Sequence, residues 1–190
     1  MGTRGFVTFV IDSQEKTAYC HCDAYPERAG LAVLRWARTG TEDREILAAR
    51  ARALRVVSPG SKPPIRDVRE LKRFAEGPGK PGTWYHLLRG TQGDPGMILL
   101  AGVIEDAGGF PCEPQALWGY VIDVDAGRLE VYRGGQREPH GLGRFAHLGP
   151  LAAGDLAYWP PALVASWPLG ALPANAADFE AACHAPEADG

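Results

Sequence analysis

Glycine and proline occupy forty of the 190 positions of this chain, scattered from end to end. In a helix interior Gly costs about 1 kcal/mol and Pro about 3 kcal/mol relative to Ala, so a bundle of long helices is ruled out. The apolar fraction, 45%, is too high for a disordered chain. What remains is a fold of short elements separated by many turns. A chain of 190 residues is long enough to bury a real core, and its length points to one domain. We expect that domain over residues 1–184, with 185–190 as a frayed tail.

The patterning within those limits is specific. Residues 5–11, GFVTFVI, are β-branched and aromatic and predict a strand. The polar run 12–15 reads as a turn and 17–23, TAYCHCD, as a return strand that Pro26 ends, which makes an N-terminal hairpin. Helices are predicted over 28–38, 42–56 and 64–75. In the second, Thr41 is a plausible N-cap, and Ile46, Leu47, Arg50, Ala51, Leu54 and Val57 share one face. In the third, Ile65, Val68, Leu71 and Phe74 form a stripe opposite a solvated face of Arg66, Asp67, Arg69, Glu70, Lys72 and Arg73. The loop 76–82 reads as an internal connection, 83–88 as a strand and 95–104 as a helix. A second hairpin is predicted over 117–124 and 128–133, turning at Asp125-Ala126-Gly127. A last strand at 162–167 and a helix at 176–184 complete the reading. Strands, then helices, then strands again predict an α+β fold: a mostly antiparallel sheet, built from the N-terminal hairpin and the central hairpin at about 118–132, with the helices of 28–75 packed on it. Parallel βαβ alternation is not expected.

Several functions fall away. No run of about 18 apolar residues is present, so no membrane-spanning segment is expected. A net charge of −3 and a pI near 6.0 argue against general nucleic-acid binding. The opening lacks the pattern of a secretory signal, and Cys20, Cys22, Cys112 and Cys183 read as free thiols of a cytoplasmic protein. Cys20 and Cys22 lack a second close pair, so zinc is not expected, and no phosphate loop or Gly-x-Ser-x-Gly elbow calls for a cofactor or a serine hydrolase. The excess of Arg over Lys reads as genome composition.

The candidate chemistry lies in the first hairpin. Alternation over 17–23 places Thr17, Tyr19, His21 and Asp23 on one face, and Ala18, Cys20 and Cys22 toward the core. On that face His21 and Asp23 stand about 7 Å apart, as an acid/base pair or as a hydrogen-bonded structural pair. Thr3 opens the first strand. As a chain terminus its amine can serve as base for its own hydroxyl, the chemistry of an amide hydrolase with an N-terminal nucleophile, with Arg4 near the oxyanion. The catalytic candidates are therefore Thr3, His21 and Asp23, and the binding candidates Arg4, Tyr19, Tyr25, Tyr120 and Asp123. Asp123, inside an apolar strand, needs a partner or a cleft. Tyr85, His86, His140 and His147 are further candidates. Against the hydrolase stands a binding or interaction protein, with a protein partner or a second copy as its companion. The five Trp, at 36, 84, 118, 159 and 167, fit a core or a partner surface.

These residues also resemble a family. Met1-Gly2-Thr3-Arg4-Gly5 before a strand, then Tyr19-Cys20-His21-Cys22-Asp23-Ala24-Tyr25-Pro26, Gly30-Leu31 and the strand Tyr120-Val121-Ile122-Asp123-Val124-Asp125, are similar to an uncharacterised family of small bacterial, phage and fungal proteins. Its pattern runs MGTRG, YNHxDSYP, a Leu-Gly or Gly-Leu pair and YVIDLD. The stretches 84–106 and 162–169 resemble its bacterial branch, so the resemblance spans most of the chain. Cys20 stands where Asn is usual and Ala24 where Ser is usual, which weakens a polar role at both. The family carries no established activity; the resemblance implies a bacterial or phage origin and supplies no mechanism.

Overall fold

Strand β1, Gly5–Ile11, is buried along its whole length, as its unbroken apolar run requires of a central strand. It turns at Asp12 and Ser13, both left-handed with φ of 52° and 61°, and returns as β2, Gln14–Cys20, with Ile11 opposite Gln14. Two residues at positive φ are what a tight hairpin needs for its twist to match the strands. The carboxylate of Asp125 accepts the N–H groups of Asp12 and Ser13 at 3.0 and 2.8 Å. The second strand therefore lies three residues earlier than 17–23, and His21, Cys22 and Asp23 fall beyond its end. The computed structural model describes residues 2–41, 43–77, 80, 82–153 and 156–185. Glu42, parts of the 76–82 loop and residues 186–190 of the expected tail lie outside it.

The chain continues through a wide helical turn, Pro26–Gly30, into α1, Leu31–Gly40, and α2, Arg44–Ala53. It then makes β3, Arg55–Val57, α3, Ile65–Leu71, and the short α4, Trp84–Leu87. Next come α5, Pro95–Ala101, β4, Val103–Glu105, β5, Trp118–Asp123, and β6, Arg128–Arg133. The last elements are β7, Leu151–Ala153, β8, Leu156–Tyr158, β9, Ala162–Pro168, and α6, Ala176–His184.

Local chemistry explains where these elements start and stop. The cap of α2 is Asp43, whose carboxylate accepts the N–H groups of Glu45 and Ile46 at 3.0 Å each. Thr41 is buried and turns its hydroxyl back to the Ala37 carbonyl instead. At the other end the Lys16 ammonium donates to the carbonyls of Ala51, Arg52 and Leu54, at 2.8–2.9 Å, and closes the helix. The helix predicted to reach residue 56 stops at Ala53, because residues 55–57 pair with β4. The strand predicted at 83–88 is a helical turn, started by the Thr83 hydroxyl accepting the His86 N–H at 3.2 Å. Asp94 caps α5 in the same way, at Met97.

The main sheet has the order β2-β1-β5-β6-β9. Its neighbours are antiparallel except at the centre, where β1 and β5 run parallel. The small pair β3 and β4 is also parallel, with α3, α4 and α5 in the connection. The fold is α+β with a mostly antiparallel sheet, and the expected lack of parallel crossovers is corrected. Turn residues betray hairpins in a sequence; a parallel partner far along the chain has no such local mark.

One face of the sheet carries Val7, Phe9, Ile11, Ala18, Cys20, Tyr120, Ile122, Leu129 and Val131, against α1, α2 and α6. The other carries Phe6, Val10, Val121 and Tyr132, covered by Phe145 of the 134–150 segment and flanked by Phe110. The Phe6 ring crosses β5 at Gly119, where an added Cβ would sit 2.1 Å from the ring. Thr8 and Thr17 are buried on this face and share a hydrogen bond of 2.9 Å. A separate cluster, Leu71, Phe74, Trp84, Leu87, Leu88 and Val103, forms a small second core. It docks on the outer edge of β2, where the Ala107 N–H donates to Thr17 O at 3.1 Å. Ile46 and Ile65, expected on buried stripes, are exposed, because the sheet and the second core leave those helix faces uncovered. Asp67, expected in solvent, is buried and paired with Arg55 at 2.8 Å.

Candidate functional site

The early end of β2 rearranges the proposed acid/base pair. Past Cys20 the chain leaves the sheet, and Asp23 takes a left-handed backbone with φ of 55°. Its carboxylate meets the Tyr25 hydroxyl at 3.5 Å, at the surface, and not His21. Cys22, expected in the core, is exposed for the same reason, whereas Thr17, assigned to the polar face, is buried and bonded to Thr8. Cys20 does face the core, and burial pushes its thiol up to about 12, which leaves it protonated and unreactive.

Tyr19 and His21 do come together. The Tyr19 hydroxyl lies 3.4 Å from His21 Nδ1, and Tyr19 packs edge-on against Phe110 at 4.8 Å between ring centroids. The second core brings further groups to this corner. Gln92 Oε1 accepts the His21 backbone N–H at 2.9 Å. Tyr85, half-buried on α4, stands edge-on to the His21 ring at 5.9 Å. Arg89 donates to the Tyr85 hydroxyl, and its guanidinium sits 5.5 Å from the centre of that ring. Between Tyr19 and Tyr85 a narrow cavity of about 40 Å³ runs back to Leu88, Thr91, Ile104 and Glu105.

The electrostatics of the corner are one-sided. Burial, then the positive charges of Arg89 and Arg4, hold His21 below the usual histidine value. Burial pushes Tyr19 up, against the pull of Arg4. Neither Arg4 nor Arg89 has a carboxylate partner among the described residues. Tyr85 had been singled out from the sequence; Arg89, Gln92 and Phe110 had not, because their role depends on the docking of the second core against β2.

The remaining candidates lie elsewhere. Tyr120 is fully buried and donates its hydroxyl to the Ala24 carbonyl at 2.8 Å, so it is a core residue and not a ligand contact. The Thr3 carbonyl accepts the Ala24 N–H at 3.0 Å, and Thr3 borders a shallow depression of about 290 Å³ with Gly2, Arg4, Gln115 and Leu117. Asp123 sits at the opposite end of the sheet. Its Oδ1 accepts the Ala126 N–H and its Oδ2 pairs with Arg144 at 2.7 Å. Arg144 also reaches Glu130 at 2.9 Å and Glu15 at 3.1 Å, and the Tyr132 hydroxyl donates to Glu130 while accepting the Arg144 N–H. Burial alone would lower the Arg144 pKa, but its hydrogen bonds to Glu130 and Asp123 hold it well above the usual value. His140 bonds the Pro160 carbonyl through Nε2 and accepts the Leu142 N–H at Nδ1. His147 bonds the Arg144 carbonyl, and His86 keeps a buried Nδ1 with no hydrogen-bond partner among the described residues.

Among the described residues no three His, Cys, Asp or Glu side chains converge on a metal position, and no helix is long and apolar enough to cross a membrane. No protein-family model, curated protein or solved structure significantly matches the chain.

Proposed function

We propose that this chain is a binding protein whose ligand site is the corner formed by Tyr19, His21, Tyr85 and Arg89, where the second core meets the edge of β2. The observation that carries the reading is the company of His21: aromatic rings and the charges of two arginines, with no carboxylate bonded to it among the described residues to orient it as a general base. The site lies on a seam between two packed units, with an apolar slot behind a polar rim, as small-molecule sites commonly do. The four cysteines are free thiols, which supports a reducing, cytoplasmic setting. The bacterial or phage origin rests on the family resemblance.

A fragment screen by NMR tests this reading. Binding fragments are expected to shift Tyr19, His21 and Tyr85 together, and Tyr85→Ala to remove the effect. Turnover of an amide or ester panel that is lost in a folded His21→Ala variant overturns it in favour of an acid/base site. The second reading, an amide hydrolase with Thr3 as nucleophile, draws on the depression beside Thr3 and Arg4. It requires Thr3 to be the chain terminus of the active protein, which intact mass measures directly.

A further inference from the structure

Resting on that assignment of the site, we infer that the group recognised at its rim is a compact oxyanion of the phosphate or sulfate type, and that His21 takes up a proton when it binds.

The polar groups at the rim are almost all donors. Arg89 spends one N–H on the Tyr85 hydroxyl and keeps the rest of its fork. The Arg4 side chain is exposed and has no hydrogen-bond partner among the described residues. Gln92 uses its carbonyl oxygen on the His21 N–H, which leaves its amide N–H groups for a ligand. When the Tyr19 hydroxyl donates to Nδ1, the neutral His21 ring carries its proton on Nε2, a fourth donor. A rim made of a guanidinium, an amide and an imidazole, within the field of Arg4, matches an acceptor-rich anion and mismatches a cation or a hydrogen-bond donor. The anion belongs at the mouth: the cavity behind it, about 40 Å³ and walled by Ala18, Leu88 and Ile104, suits only a slim apolar substituent.

The nearby carboxylates already accept hydrogen bonds within the chain: Glu105, which also lines the cavity, accepts the Gly60 N–H at 3.3 Å, and Asp23 accepts from the Tyr25 hydroxyl at 3.5 Å. The other titratable groups around His21 are Tyr19, Cys20, Cys22 and Tyr85. Burial, then the positive charges of Arg89 and Arg4, disfavour the imidazolium. An oxyanion between them reverses that field. The proton taken up comes from solvent, and affinity rises as pH falls below the His21 value of the complex toward that of the free protein.

Sulfate is the probe, because it does not itself titrate between about pH 5 and 8, the range in which histidine does. NMR of the His21 ring follows its pKa with and without sulfate in the intact chain. The expected result is a His21 pKa raised by sulfate and an affinity that drops about tenfold in Arg89→Gln, the loss of one charge-assisted contact. His21→Gln, which keeps a donor but cannot be charged, is expected to bind with its pH dependence removed. A His21 pKa indifferent to saturating sulfate, or an Arg89→Gln variant that binds as tightly as the parent, overturns the inference. Phenol separates the two levels. If phenol shifts Tyr19 and Tyr85 while sulfate does nothing, the oxyanion is wrong and the ligand corner stands. If neither probe moves these residues, both fall.

Discussion

Two arginine-bearing regions stand at opposite ends of the sheet. Arg144 reaches Glu15 on β2, Asp123 on β5 and Glu130 on β6, and so laces three strands beneath the 134–150 segment. Arg4 and Arg89 both act on His21, and neither has a carboxylate partner among the described residues. In the first region every charge is answered inside the molecule, and the result is architecture. In the second the charge is left for something else to answer. The Arg-rich composition, read from the sequence as genome bias, cannot distinguish the two, because only the fold assigns each guanidinium its neighbours.

The largest test of this contrast is Arg144→Met. It leaves Asp123 and Glu130, with side chains 11% and 14% exposed, without their cation, and should cost about 3 kcal/mol in urea unfolding. A variant as stable as the parent would erase the distinction between the regions. Tyr132→Phe removes the hydroxyl that joins Glu130 to the Arg144 backbone and should cost about 1 kcal/mol by the same measurement. Arg89→Gln should change stability by less than about 0.5 kcal/mol, since among the described residues its guanidinium engages only half-buried Tyr85 and no carboxylate. A large loss there would reassign the corner to structure.

The smallest effect is a pH dependence. Because the folded protein holds the His21 pKa below its unfolded value, near 6.5, it binds fewer protons than the unfolded chain in the acid range. Stability is therefore unaffected by His21 above about pH 6.5 and declines as pH falls through the window below it. Comparing urea midpoints of the parent and His21→Gln between about pH 5 and 7 isolates this slope. An identical slope in the variant would show that His21 does not feel the arginines.

How far the sequence reached can be judged from particular residues. β1, the central hairpin, β9 and α6 were legible because each has a local signature: an apolar run, the turn at Gly127 with φ of 66°, or the Asn175 cap that bonds the Asp178 N–H. The first hairpin was legible in kind but not in register. Asp12 and Ser13 can both adopt positive φ, so two residues made a turn where four polar ones suggested a longer loop. That shift dissolved the His21–Asp23 pair while leaving Tyr19 beside His21. Asp123 was rightly seen to need an explanation, yet its partner Arg144 lies 21 residues away in a turn-rich segment with no periodicity to mark it. Gln92 is 71 residues from the backbone it supports at His21, beyond any local pattern.

The parallel pairing of β1 with β5 carries a consequence for synthesis. The two turns that these strands lead into, joined by Asp12 and Asp125, are 113 residues apart. At roughly 10 residues per second, the ribosome needs about ten seconds after making β1 to deliver its central neighbour. Through that interval the N-terminal hairpin can form, but one long edge of GFVTFVI stays open and apolar on both faces. Such an edge invites pairing with another nascent chain. The step that protects this protein during its birth is thus the arrival of β5, and slowing translation between the two strands should raise aggregation more than slowing it anywhere after β5 is made.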